Sequence, residues 1–241
     1  MKWARVPENR RLAKFAAGSL FLLLFPACAT RPSSRPATPQ ESSKLLEAWN
    51  DYRQAALSRG PMEMFYDAQV SRSVVTMSGT LAVRDDPGKS LALRVEGPLG
   101  LPVARADWDG EVTKVFVSGS HRGEQTIAGD ADLGRELGVP VSAAGLSLLL
   151  FGLPDRASPE STEIEGERAW FSWNGGAIRC DFDVSSNRAA TVVARGDRGS
   201  VEVRFLEWGP ALPSRIRIRA SRGGSAELRL RSADPSPEKR E

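Results

Sequence analysis

The chain has 241 residues, 33 Lys+Arg against 30 Asp+Glu, and a hydrophobic content of 41%, which is the length and polarity of one globular domain. A single histidine, His121, and two cysteines, Cys28 and Cys180, exclude a His/Cys zinc tetrad. The basic surplus is local. Residues 1–27 hold Lys2, Arg5, Arg10, Arg11 and Lys14 against Glu8, and without them 28 bases face 29 acids, a net charge of −1. Phosphate recognition needs clustered surplus cations on the folded domain, so no nucleic-acid partner is expected.

In chain order, a basic stretch over residues 1–14 precedes an uncharged apolar run of 11 residues, Phe15 to Phe25, and then Pro26-Ala27-Cys28. A spanning helix needs about 20 apolar residues, so residues 1–27 read as a targeting signal. A cysteine directly after an apolar run and a small residue resembles a bacterial lipoprotein signal. That resemblance implies cleavage before Cys28 and lipidation of its thiol and new amino terminus, with a plain cleaved signal as the alternative. Several acyl chains would make the anchor stable, because each buried CH₂ contributes about 0.8 kcal/mol and one chain alone is marginal. Ala29 stands where an Asp would signal inner-membrane retention, which points to an outer-membrane, lipid-anchored protein facing the periplasm. Residues 28–41 are proline-rich and nearly devoid of apolar side chains, and are predicted to form an extended tether.

Ser42-Ser43 are expected to cap a helix in which Leu45, Leu46, Trp49, Tyr52 and Ala56 recur at helical spacing, ended by Gly60-Pro61. The period then changes from about 3.6 to 2. Alternation predicts strands over 75–84 and 91–96 around an Asp85-Asp86-Pro87-Gly88 turn, then over 101–108 and 111–118 joined by Asp109-Gly110, and near 123–128. Residues 131–153 suit one or two short helices around Gly138-Val139-Pro140, stopped by Gly152-Leu153-Pro154. Strands resume at 170–173, 178–184, 191–193, 201–205, 216–220 and 228–230, with Arg179, Asp181, Glu202, Arg204, Arg215, Arg217, Arg219, Arg229 and Arg231 among their outward residues. Residues 233–241 are predicted to be a frayed polar tail, leaving 42–232 as one domain. The fold class is mainly β, with about ten or eleven antiparallel strands. So many strands curl, and the concavity must be filled by a helix or by a lipid.

Catalysis finds little support. A nucleophilic enzyme needs a nucleophile, a base and an orienting acid, but His121 lies in a polar Ser118–Gly123 turn and no Gly-x-Ser-x-Gly elbow follows the signal. Asp85/Asp86 and Asp107/Asp109 read as turn residues, and Cys180 as a small buried hydrophobe. No enzyme, cofactor or metal site is expected. Gly97-Pro98-Leu99-Gly100 differs, because it presents a leucine where a turn normally shows a polar residue. Leu99 either folds back over the barrel end or inserts into a membrane or partner.

The run Arg94-Val-Glu-Gly-Pro-Leu-Gly100, followed by Leu137-Gly-Val-Pro140 and Leu148-Leu-Leu-Phe-Gly-Leu-Pro154, resembles the LolB outer-membrane lipoprotein receptors. Leu212-Pro213 ahead of an Ile-x-Ile strand is similar to the wider LolA/LolB family. The similarity covers roughly residues 42–232. It implies a half-open antiparallel β-barrel with a helical lid, whose apolar cavity receives acylated lipoprotein cargo from a LolA-like periplasmic carrier and releases it into outer-membrane phospholipid. Pro98, Leu99 and Gly100 would form the membrane-insertion loop, and Leu81, Leu91, Leu93, Val95 and Leu148 are candidates for the acyl-chain cavity. The competing reading is an envelope scaffold or sensor with a filled barrel. Membrane affinity resting on Cys28 acyl chains and an apolar loop should respond little to salt.

Overall fold

A computed structural model of the chain describes residues 34–72, 75–118, 124–128, 142–154, 158–196, 199–221 and 224–236. They belong to one compact unit, Ser34–Glu241. The signal segment, Cys28, His121 and the 131–141 part of the expected helical insertion lie outside the described residues.

Fourteen strands form one antiparallel sheet: β1 (Arg35–Pro36), β2 (Met62–Arg72), β3 (Val75–Asp86), β4 (Ser90–Glu96), β5 (Pro102–Trp108), β6 (Val112–Val117), β7 (Glu124–Ala128), β8 (Ser161–Glu165), β9 (Arg168–Trp173), β10 (Ile178–Asp183), β11 (Arg188–Gly196), β12 (Gly199–Trp208), β13 (Pro213–Ala220) and β14 (Gly224–Pro235). Two helices among the described residues, α1 (Pro39–Leu57) and α2 (Ala143–Leu150), complete the mainly β architecture. The spatial order runs β1-β8-β9-β10-β11-β12-β13-β14-β2-β3-β4-β5-β6-β7, so the last strand pairs with the first long one and the two edges, β1 and β7, remain apart. The sheet is open, with helices against one face.

Three strands go beyond the sequence reading. β2 turns Met64, Tyr66 and Ala68 into the core while Phe65 faces the other way, the one apolar side chain among the outward Glu63, Phe65, Asp67 and Gln69. β8 is short and polar, and its edge is covered by only two residues of β1, through Arg35↔Ile164 and Pro36↔Glu163.

Both domain boundaries are wider than 42–232. The end of the expected tether docks in β1, and α1 begins earlier, capped by Thr38 and not by Ser42. The Thr38 and Glu41 side chains satisfy each other's backbone N–H groups, and Pro39 supplies a φ suited to the first turn. At the other terminus β14 extends to Pro235. Ser236 is buried, donating its N–H to the Pro61 carbonyl at 2.8 Å and accepting from Arg84 Nε at 2.6 Å. Residues 233–235 are therefore sheet, because pairing with β2 satisfies their backbone.

The apolar stripe of α1 (Leu45, Trp49, Tyr52, Ala56) is buried. The Trp49 ring lies 5.2 Å from Phe171 and 5.7 Å from both Trp173 and Phe182, so α1 covers β9 and β10. Tyr52 donates its hydroxyl hydrogen to the Phe151 carbonyl at 2.8 Å, tying α1 to the end of α2. Ser142 caps α2 by accepting from the Gly145 N–H at 3.0 Å. Cys180 is buried and unpaired beneath this aromatic cluster.

Candidate functional site

The loop between β4 and β5 starts from a turn closed by Gly97 N–H to Leu101 O at 2.8 Å and Gly100 N–H to Gly97 O at 3.2 Å. Pro98–Gly100 forms one 3-10 turn in which Leu99 takes φ 67°. A left-handed conformation costs a side-chain-bearing residue roughly 1–2 kcal/mol. Leu99 is also 96% exposed and Leu101 is 64% exposed, so neither side chain packs back over the sheet end. The loop sits beside β3, where a Cβ on Gly79 would collide with the Glu96 carbonyl oxygen. Glycine at that position lets the loop close.

β3 runs on past β4, whose final pair is Thr80↔Glu96. On this projecting part of the β2–β3 hairpin, Val70 and Met77 pair across the strands and are 44% and 48% exposed. The register brings the β2–β3, β4–β5, β11–β12 and β13–β14 connections to the same end of the sheet. Four exposed large hydrophobics thus stand at one end. Val70, Met77 and Leu101 escaped the sequence reading, Val70 because β2 did.

Behind that end the concavity is occupied. Leu146, Leu149 and Leu150 of α2 face Val201, Val203, Ile216 and Ile218, leaving an apolar gap of only about 10 Å³, against roughly 300–1,000 Å³ for small-molecule sites. Among the candidate cavity residues, Leu91, Leu93 and Leu148 are buried in the core, Leu81 is partly buried against it, and Val95 is half-buried. The large grooves, of about 540 and 600 Å³, lie on the opposite face of β3–β5 and are lined by charged side chains such as Arg84, Arg105 and Asp107.

One polar group joins α2 to the sheet. Asp85, expected in a turn, is instead a fully buried residue of β3. Its Oδ1 accepts from the Ser147 hydroxyl at 2.7 Å, and Ser147 Oγ accepts from the Gly88 N–H at 3.1 Å, while Oδ2 has no hydrogen-bond partner. Burial pushes the Asp85 carboxyl up to about 7; the Ser147 hydrogen bond opposes the rise and Asp86 adds to it. The turn reading does hold for Asp109, which accepts from the N–H groups of Glu111 and Val112. No group of three or more His, Cys, Asp or Glu gathers to hold a metal among the described residues, and no described helix is long and apolar enough to cross a membrane.

No protein-family model matches the sequence, and no curated protein matches it. Solved structures do. A LolA superfamily protein from Nitrosomonas europaea is similar with a TM-score of 0.53 at 12% identity, covering 80% of this chain and 92% of that one. The chain has a LolA-like fold. A DUF1329 family protein from Desulfovibrio piger (TM-score 0.53, 10% identity, 82% and 94% covered) and an outer membrane lipoprotein-sorting protein domain from Vibrio parahaemolyticus (0.52, 10%, 82% and 94%) share it. At such identities the likeness is one of architecture, and the LolB-type motifs remain a feature of the sequence.

Proposed function

We propose that this LolA-like chain is an outer-membrane lipoprotein that accepts acylated lipoproteins and helps insert them into the outer membrane, without covalent chemistry. Cys28 is the anchor, a LolA-like periplasmic carrier the donor, and outer-membrane phospholipid the sink. The observation that carries this reading is Leu99, an almost fully exposed leucine in a left-handed turn. Exposure and strain both disfavour a leucine there, so its side chain is spent on something outside the folded domain. Direct handover between apolar cavities needs no energy source, because it avoids exposing acyl chains at about 25 cal/mol per Å². The gap between α2 and β12–β13 is about 10 Å³, so cargo enters there as α2 moves off these strands, and Leu81, Leu91, Leu93, Val95 and Leu148 then line the space. Leu99→Glu should keep the fold by circular dichroism while abolishing cargo release into liposomes. Unimpaired release would remove the loop from the mechanism.

The filled interior favours a second reading, an envelope scaffold or sensor that works through protein contacts. Native mass spectrometry and lipid extraction of the purified Ser34–Glu241 unit separate the two, since a permanently filled sheet carries no lipid or acylated peptide.

A further inference from the structure

The outward residues of β12, β13 and β14 are arranged against local charge balance. Over residues 200–207, 215–220 and 224–231, six arginines (Arg204, Arg215, Arg217, Arg219, Arg229, Arg231) share the surface with three glutamates. Two cross-strand pairs set arginine directly opposite arginine, Arg204↔Arg217 and Arg215↔Arg229. Like charges in that position destabilise a sheet. On β4 and β5 the same arrangement, Arg94↔Arg105, is neutralised because Arg94 pairs with Glu96 and Arg105 with Asp107. On β12–β14 acids also stand beside the arginines but are fewer: Arg204 pairs with Glu202, Arg215 with Glu207 and Glu227, and Arg217 shares Glu227. Among the described residues no ion pair involves Arg219 or Arg229, although the register sets them opposite Glu202 and Asp67. Both are exposed.

We propose that this outer face of β12–β14 docks on anionic phospholipid headgroups and so orients the tethered domain on its membrane. The proposal rests on the reading that the domain works at a bilayer, and it adds a ligand class to that reading. Position selects lipid over an acidic protein. Arg219 ends β13, and Arg195 ends β11, at the same end of the sheet as Leu99, Leu101, Val70 and Met77. Cations beside protruding apolar side chains match a headgroup layer lying over acyl chains. Arginine suits phosphate because its guanidinium binds two oxygens at once. The 28-to-29 balance of the chain beyond residue 27 conceals this surface, where six arginines outnumber the three glutamates of the same strands.

The Ser34–Glu241 unit holds the entire described core and can be tested alone, by flotation with vesicles of phosphatidylcholine or of phosphatidylcholine and phosphatidylglycerol at about three to one. The unit should partition onto the anionic vesicles about tenfold or more better than onto neutral ones, and the preference should vanish between roughly 0.05 and 0.5 M salt as screening shortens. Arg195→Gln, Arg219→Gln and Arg229→Gln together should remove that preference while circular dichroism and neutral-vesicle binding stay unchanged. Equal binding to both vesicle types, or an undiminished preference in the triple variant, overturns the proposal; a wild-type unit indifferent to lipid charge but crosslinked to an acidic protein overturns it in favour of a protein partner. Leu99→Glu release assays report on the transfer function separately, so the two ideas fail independently.

Discussion

Leu99 and Asp85 each break a local rule, in opposite directions. Leu99 is an apolar side chain in solvent on a backbone that favours glycine. Leu99→Gly should leave urea unfolding unchanged or raise stability by up to about 1 kcal/mol, strain relief being partly offset by the freer unfolded chain, while membrane engagement falls. Asp85 is a carboxyl sealed in the core with one oxygen unpaired. Its folded-state value of about 7 stands above the roughly 3.9 of an unfolded aspartate, so between those values the folded chain holds a proton that the unfolded chain releases. That contribution is complete below about pH 4 and is lost as pH rises towards 7. Urea midpoints should therefore fall across this window by the equivalent of on the order of 4 kcal/mol, and Asp85→Asn should flatten the profile. Sequence alternation could not find this group, since an Asp-Asp-Pro-Gly string is a sound turn signal and only the partner on α2, far along the chain, shows that the first Asp is inside.

At the scale of elements, α1 and α2 do different work. α1 is locked by aromatic contacts with β9 and β10, and Trp49→Ala should cost about 3–5 kcal/mol in chemical denaturation. α2 meets β12 and β13 through aliphatic side chains only, around a small gap. Leu149→Ala should cost about 2–5 kcal/mol and enlarge that gap, so increased binding of an apolar fluorescent probe is the expected outcome if α2 covers a lipid path. The helical stripe of α1 was legible because Leu45, Trp49, Tyr52 and Ala56 follow a strict period. Its start was not, because Thr38 and Pro39 lie in a proline-rich stretch whose composition alone reads as tether. β2 keeps the strand period as well, Met62, Met64, Tyr66, Ala68 and Val70 alternating with Glu63, Asp67 and Gln69 and Phe65 alone breaking it, so this strand lay within reach of the sequence.

For the whole molecule, pairing of β14 with β2 joins the last strand in the chain to the first long one in the middle of the sheet. Deleting residues 233–241 removes both hydrogen bonds of Ser236 and should destabilise the unit by about 2 kcal/mol or more in thermal or urea unfolding, an outcome a frayed tail would not give. Charge shows the same dependence on assembly. Salt-insensitive membrane affinity follows from a balanced total, whereas the sheet gathers arginines of β12, β13 and β14 onto one surface. By itself the amino-acid order determined the mainly β class, the leading helix, most strands and the leucine at a loop tip, because these depend on periodicity and turn chemistry within a few residues. Tertiary structure alone decided that Leu99 stays out, that Asp85 goes in, that α2 fills the concavity, and which charges become neighbours. Burial and cross-strand register are set by partners distant in sequence, and no local pattern encodes them.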